Sequence, residues 1–259
     1  MQALATRIEG SVAVIGDLHG QAEELRTLLD KLCARPDFQR RWIVFIGDFV
    51  DRGPDPKSVL DMVCDLCRDH PKTTAIAGNH EFAMAAALGW IPTPDYSNWS
   101  DRWVDHYETE PTFASYAADF GDLQGLAARI PKLHKDFLAN LPWCVEHRKY
   151  LFVHAGLDSN TPFDMQLRIL RQKDFSLNQP QWLCSQKLVQ ADVPPDCPLT
   201  VVSGHEFVPE VKFRQKRILI DTSGGRTGDL SCVLLPENKV IASSGELVGG
   251  PSRSWWKIW

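Results

Sequence analysis

Short apolar runs alternate with helical stripes in the first third of the chain. The runs VAVIG, WIVFIG and TAIAG, at 12–16, 42–47 and 74–78, each end in glycine and predict buried strands. The segments between them, 25–32 and 59–66, carry apolar residues at the i, i+3, i+4 and i+7 spacing of an amphipathic helix. This β-α-β-α-β series predicts a largely parallel sheet with helices packed on it.

The second half of the chain is richer in strands. The apolar runs at 150–156, 199–205 and 217–225 predict further strands, and 231–243 predicts a hairpin around its PEN turn. Residues 89–148 mix Trp, Tyr, Pro and charged side chains, and are typical of irregular helices and loops that form the wall of a site. We therefore predict an α/β fold in which residues 1–259 form a single domain with this excursion.

Composition narrows the class of protein. The chain is 44% hydrophobic and 24% charged, as in soluble globular proteins, and it has no apolar run near the roughly 18 residues of a membrane span. Its net charge of −5 argues against a general binder of nucleic acid or anionic membrane. Seven cysteines, an odd number, favour free thiols in a reducing compartment. We expect a cytoplasmic protein, and its oligomeric state is left open.

Polar side chains with metal-binding groups follow five of the predicted strands. They are Asp17, His19, Asp48, Asn79, His154 and His205, each within a glycine-flanked motif. Each residue alone is explained by a turn or by a buried, hydrogen-bonded histidine. However, the carboxyl ends of neighbouring strands converge on one crevice in an open α/β sheet, and positions 17, 48 and 79 are spaced by 31 residues, about one βαβ unit. The shared placement favours one common site.

The composition of this set indicates the kind of metal. Oxygen and imidazole ligands without cysteine suit Mn, Fe or Zn, and so many ligands require two divalent ions, of which we expect Mn²⁺ first. With Asp48 as the bridge, one ion would take Asp17 and His19. The other would take Asn79, His154 and His205. For Asn79 an alternative is an N-cap, with a helix starting at His80.

The motifs GDLHG, GDFVDRG, GNHE, VHAG and SGHE, in this order, resemble the phosphoprotein phosphatase branch of the calcineurin-like metallophosphoesterases, and in particular its bacterial serine/threonine protein phosphatases. The resemblance spans roughly residues 12–230. It implies a two-sheet β-sandwich flanked by helices, with a dinuclear metal centre at the sheet edge. Two such metals activate a bridging hydroxide for in-line attack on a phosphate monoester.

The resemblance also implies roles for four further residues. Arg52 and Arg171 would bind phosphate oxygens, although the tryptophan usual beside the second arginine is missing here. His80 would protonate the leaving alkoxide, and Asp51 would hold its ring and raise its pKa. Related bacterial enzymes carry an Asn-Gly-Gly turn where this chain has YETEP, so Glu108 and Glu110 alter the expected substrate-facing wall.

Three functions remain open from the sequence. The first is a serine/threonine protein phosphatase acting on phosphorylated proteins or small phosphoesters. The second is a symmetrical bis(5'-nucleosyl)-tetraphosphatase, which uses a similar metal centre. The third, a catalytically silent scaffold, predicts lost ligand positions, and none is lost. The terminal SRSWWKIW at 252–259 is expected to pack back onto the domain.

Overall fold

The computed structural model describes residues 3–226 and 228–245, so the expectation for the terminal tryptophans lies outside the described residues. Eleven strands are present among them. They are β1 (Arg7–Ile8), β2 (Val12–Ile15), β3 (Trp42–Phe45), β4 (Thr73–Ala75), β5 (Cys144–His147), β6 (Tyr150–Val153), β7 (Thr200–Ser203), β8 (Lys212–Arg214), β9 (Arg217–Leu219), β10 (Ser231–Leu235) and β11 (Lys239–Ala242). All of the strands predicted from apolar runs are found, and they are shorter than the runs.

The strands form two sheets. The first has the order β11-β10-β2-β3-β4, in which β2, β3 and β4 are parallel and β10 and β11 add an antiparallel hairpin. The second has the order β1-β5-β6-β7-β9-β8, with β6, β7 and β9 parallel. Each sheet thus contains a parallel core, and the predicted β-α-β-α-β series is confirmed in the first.

Successive side chains of a strand point to opposite faces of the sheet, and this alternation explains how the layers pack. In β2, Val12 and Val14 join Phe152 of the other sheet in one buried apolar cluster, the core of the sandwich. Ala13 and Ile15 point the opposite way and belong to the cluster that includes the leucines of the first helix. A strand buried on both faces reads as a continuous apolar run. The predicted fold class, α/β with a two-sheet sandwich flanked by helices, is confirmed.

The described residues include ten α-helices. They are α1 (Ala22–Cys33), α2 (Pro56–Asp69), α3 (Asn79–Ala87), α4 (Trp99–His106), α5 (Glu110–Ser115), α6 (Leu123–Arg129), α7 (Lys132–Asn140), α8 (Phe163–Gln172), α9 (Gln181–Cys184) and α10 (Gln186–Gln190). Four of them, α4 to α7, lie in the excursion at 89–148. Within the described part of the chain, no helix combines the length and the apolar character that crossing a bilayer requires.

Candidate metal centre

The six predicted ligands lie in loops that follow β2, β3, β4, β6 and β7. The first three strands belong to one sheet and the last two to the other. Because the parallel strands of both sheets end at the same edge of the sandwich, the loops meet there. Asp17, His19, Asp48, Asn79 and His154 are buried at this edge, and His205 is partly exposed.

The backbone at this edge adopts an unusual conformation. His19, Asp48, Asp51, Arg52 and His205 all have positive φ, between 40° and 71°. Residues with a Cβ disfavour this left-handed region, at a cost on the order of 1–2 kcal/mol each. Such strain persists only where the surrounding structure imposes it, and here it turns side chains of tight loops toward one point.

A carboxylate oxygen lies at the centre of the cluster. Oδ2 of Asp48 is 3.4 Å from Nε2 of His19 and 3.3 Å from Nε2 of His154. The Nδ1 atoms of the two rings lie 3.0 Å from the carbonyl of Val50 and 2.8 Å from that of Ile46, so both donate there. In a neutral ring of this tautomer, the lone pair of Nε2 faces the carboxylate oxygen of Asp48. A proton or a cation between the two atoms would remove this repulsion.

The second half of the cluster is built around an amide oxygen. Oδ1 of Asn79 is 3.1 Å from Nε2 of His154 and 2.9 Å from Nδ1 of His205. The backbone N–H of His205 donates to Oδ2 of Asp17 at 2.8 Å. Among the described residues, Oδ1 of Asp17 and Nε2 of His205 are buried without any hydrogen-bond partner. Buried polar atoms left in this way are the natural ligands of an ion.

Two groups of three ligand atoms lie within 4.8 Å of one another. The groups are His19, Asp48 and His80, and Asp48, His154 and His205. They share Asp48, as expected for a bridging ligand. The first group contains His80 where the sequence suggested Asp17, whose carboxylate sits beside His205 instead.

Two glycines make room for the carboxylates. A Cβ at Gly78 would lie 2.1 Å from Oδ1 of Asp48, and a Cβ at Gly204 would lie 1.9 Å from Oδ1 of Asp17. Any side chain there would displace a ligand oxygen. The donor set, the unpartnered atoms and these two positions together fit a pair of divalent cations.

The carboxylates and imidazoles of the cluster have strongly perturbed pKa values. Burial, with Asp221 nearby, raises the pKa of Asp17 well above its usual range. Burial opposes ionisation of Asp48 too, but His154 and His80 hold its pKa well below the usual range. Burial also disfavours a charged His154, yet Asp48 and Asp17 raise its pKa to about 10. A positive charge is thus stabilised next to Asp48.

Asp51 and His80 are hydrogen-bonded as the sequence suggested, with 2.8 Å between Oδ2 and Nδ1. The predicted effect on the pKa of His80 is wrong: burial lowers this pKa well below the usual value, and Asp48 only partly offsets the effect. Burial instead raises the pKa of Asp51 to about 7, although Thr112 and Trp103 donate hydrogen bonds to it at 2.6 and 3.0 Å. The pair, rather than the histidine alone, holds the proton near neutral pH.

Thr112 and Trp103 were not identified from the sequence as part of this site. Both lie in the excursion at 89–148, on α5 and α4. A buried carboxylate needs several hydrogen-bond donors, so this requirement for Asp51 is the one feature of the sequence that points to donors in the segment 89–148.

Glu81 supports the site without facing it. Its buried carboxylate accepts the backbone amides of Asp48, Phe49 and Gly78 at 2.8, 2.6 and 3.0 Å. The helix α3 begins at Asn79 with Gly78 as its N-cap, one residue earlier than the alternative in which Asn79 is the cap. Glu81 thereby fixes the loop after β3 against the start of α3.

Arg52 lies next to the centre. Its Nη1 is 3.1 Å from Nε2 of His19 and 3.4 Å from the carbonyl of Gly224. The carboxylate of Glu108 lies 3.7 Å from its Nε and forms two hydrogen bonds with Arg226, at 2.8 and 2.9 Å. The acidic replacement noted in the sequence therefore neutralises two arginines at the rim.

The structure does not bring Arg171 to this cluster. Its guanidinium forms two hydrogen bonds of 2.7 Å with Glu146, which lies on β5. It lines a different cavity, of about 490 Å³, together with Phe137 and Leu170. The resemblance implied that Arg171 binds phosphate oxygens, but its place near the end of α8 turns the side chain toward Glu146 instead.

A cavity of about 730 Å³ opens beside the cluster. Asn79, His80 and His205 form part of its floor, and Arg52 and Tyr107 its sides. The Tyr107 ring packs edge-on against His80, with 4.9 Å between centroids. A substrate has access to the ligand cluster through this cavity.

Sequence comparison gives relatives in two enzyme groups. The chain is 27% identical over 184 residues to the symmetrical bis(5'-nucleosyl)-tetraphosphatase of Baumannia cicadellinicola, covering 71% of the chain and 55% of that protein. It is 38% identical over 77 residues to the serine/threonine-protein phosphatase 4 catalytic subunit of Eremothecium gossypii, covering 29% and 24%. The chain thus matches a quarter to about half of the length of these relatives.

Solved structures of related fold include a protein phosphatase. A serine/threonine phosphatase from Saccharomyces cerevisiae with similarity to human PP5 superposes with a TM-score of 0.59 at 20% identity, covering 96% of this chain and 86% of that one. At that identity the likeness shows the fold alone. The family model for the calcineurin-like phosphoesterases matches residues 10–240, a range that includes all six ligand positions. This chain belongs to the calcineurin-like phosphoesterase family.

Proposed function

We propose that the protein is a metal-dependent phosphoesterase that hydrolyses phosphate monoesters at the edge of the sandwich. The observation that carries this proposal is the placement of His154, whose Nε2 faces Oδ2 of Asp48 and Oδ1 of Asn79. Two acceptor oxygens and Nε2 converge at this point, and a divalent cation in place of the proton on Nε2 would satisfy all three groups. The family membership supplies the reaction class.

The chain's own residues divide the work. Asp48 would bridge two ions, with His19 and Asp17 on one side and Asn79, His154 and His205 on the other; Mn²⁺ is the metal we propose, with Fe and Zn as alternatives. When bound, such ions supply a Lewis acid and an activated water.

The remaining residues orient the substrate and move a proton. Arg52 would hold the phosphoryl oxygens through its planar fork. The pair of Asp51 and His80 would retain a proton and deliver it to the leaving oxygen. Trp103 and Thr112 keep the carboxylate of that pair in place.

Two substrate classes follow from the relatives. Phosphoserine and phosphothreonine in proteins are the first candidate, because the GDFVDRG and GNHE segments resemble the motifs of the phosphoprotein phosphatases. Dinucleoside tetraphosphates are the second candidate, since the tetraphosphatase relative covers 71% of this chain, against 29% for the phosphatase.

The deciding experiment is a parallel assay. Purified protein with Mn²⁺ is given a phosphoserine peptide, p-nitrophenyl phosphate and diadenosine tetraphosphate. Release of phosphate from the first two supports the first candidate, and ADP as the main product supports the second. If none is hydrolysed with Mn²⁺, Fe²⁺ or Zn²⁺, the proposed function is wrong.

The role of His80 has its own test. His80→Asn should slow hydrolysis of alkyl phosphates, which are poor leaving groups, far more than hydrolysis of p-nitrophenyl phosphate, while leaving metal content intact. Equal slowing of both would remove His80 as the proton donor. The ratio of the two kcat/KM values is the measurement.

A further inference from the structure

Two basic residues line the cavity in addition to Arg52. Arg102 on α4 and Lys187 on α10 come from different segments and line the same cavity as Arg52 and His80. Among the described residues, none that lines this cavity is Asp or Glu. The cavity therefore has more positive charge than a single phosphoryl group needs.

Arg102 is held in a fixed orientation. Its guanidinium lies over the ring of Trp99, 4.1 Å from the centroid. Trp99 is itself buried and packs edge-on against Phe82 at 5.3 Å. Nη1 and Nη2 donate to the side-chain oxygens of Asn178 and Gln179 at 3.1 and 3.3 Å. Stacking on Trp99 and hydrogen bonds to neutral acceptors orient the guanidinium without neutralising its charge.

The charge of Arg102 is not balanced inside the protein. Within the described ranges, no carboxylate lies within salt-bridge distance of it, whereas Arg52 and Arg226 both lie near Glu108. A half-buried, oriented guanidinium without an acidic partner is suited to an anion from outside. Lys187, exposed and on the facing wall, adds a second positive charge to the same space.

We propose that Arg102, assisted by Lys187, forms a subsite for a second phosphate group of the substrate, beyond the phosphate that is hydrolysed. This inference rests on the proposed function for the position of the first phosphate. It assigns the protein to phosphoesters with more than one phosphate and makes Arg102 a specificity-determining residue.

Binding and kinetics test the subsite separately. Calorimetry at a fixed free Mn²⁺ concentration compares inorganic tripolyphosphate with orthophosphate. Arg102→Ala should weaken tripolyphosphate binding about 10-fold or more, because a charge-assisted bond is lost, and should weaken orthophosphate binding much less. Arg102→Lys should recover only part of the loss, since the fork and the stacking are missing. Arg129→Ala, an exposed arginine on α6 of the same excursion, is the matched control.

Kinetics give the second readout. Arg102→Ala should raise KM for diadenosine tetraphosphate about 10-fold more than KM for p-nitrophenyl phosphate, with a smaller change in kcat. Equal effects on the two substrates, or tripolyphosphate binding that is indifferent to Arg102, overturn the subsite. If the native protein binds tripolyphosphate through Arg102 but hydrolyses no phosphoester, the proposed function is wrong and the subsite is still supported.

Discussion

Buried charges occur at both ends of the five-stranded sheet, and the two ends differ in how those charges are satisfied. At the amino end of β2, the buried Arg41 donates to the carbonyls of Val12 and Leu235 at 3.0 and 3.1 Å. The same guanidinium binds the carboxylates of Asp37 and Glu237. One cation, two anions and two carbonyls are thus mutually satisfied by the chain itself.

The carboxyl end of the same strands is different. There Asp17 and Asp48 are buried, the Nε2 atoms of His19 and His154 face Asp48, and Oδ1 of Asp17 has no hydrogen-bond partner among the described residues. The chain itself pairs the buried charge at the amino end, whereas we propose that ions from solution complete the group at the carboxyl end. The predictions below test this difference.

The largest effect is expected at the bridging carboxylate. Asp48→Asn removes the oxygen shared by both ligand groups, so metal content should fall and kcat/KM should drop on the order of 10⁴-fold, equivalent to roughly 5 kcal/mol. Metal analysis and a phosphate-release assay measure the two quantities. A variant that retains full activity would exclude Asp48 as the bridge.

At the opposite end, Arg41→Ala should leave Glu237 and two buried carbonyls without this partner, while Asp37 keeps only Arg35. We expect a loss of about 3–5 kcal/mol in the free energy of unfolding, with normal metal content in the protein that remains folded. Arg40→Ala, at the exposed neighbouring position, serves as the control. Urea unfolding gives the values, and equal stability of both variants would contradict the comparison.

Added metal should stabilise only the carboxyl end. At 100 times its dissociation constant, Mn²⁺ should raise the free energy of unfolding by about 2.7 kcal/mol, visible as a higher Tm. In Asp48→Asn the rise should be lost, and in Arg41→Ala it should be retained. A similar rise in both variants would mean that the ion binds elsewhere.

The smallest effect is expected when the pH is lowered. Burial opposes ionisation of Asp37, but the hydrogen bonds and charges of Arg41 and Arg35 together lower its pKa from 3.8 to about 2. Because the folded pKa is below the unfolded one, this contribution is complete above about pH 4 and is lost as pH falls toward 2. The native protein should lose at most about 2 kcal/mol more than Asp37→Asn over that interval. Parallel losses in the two proteins would show that the ion pair contributes nothing.

The local pattern of the sequence was sufficient to predict the strands and the polar residues that follow them. Glycine-closed apolar runs located the strands, and the polar residues after them, such as Asp48 and His154, indeed meet at one edge. Relations that depend on helix orientation were not accessible. Arg171 and Arg102 both lie on amphipathic helices, and nothing in their spacing distinguishes the one that pairs with Glu146 from the one that reaches the cavity.

The positive φ angles at the carboxyl end also bear on how the protein responds to selection. At His205 the backbone has φ 71°, which a glycine would relax, whereas the hydrogen bond from Nδ1 to Asn79 would be lost. Nε2 of the same ring has no partner within the described chain, so the ring contributes less to stability than it would to the proposed ion site. Selection for thermal stability alone would therefore protect this side chain weakly, and a requirement for turnover would protect it strongly.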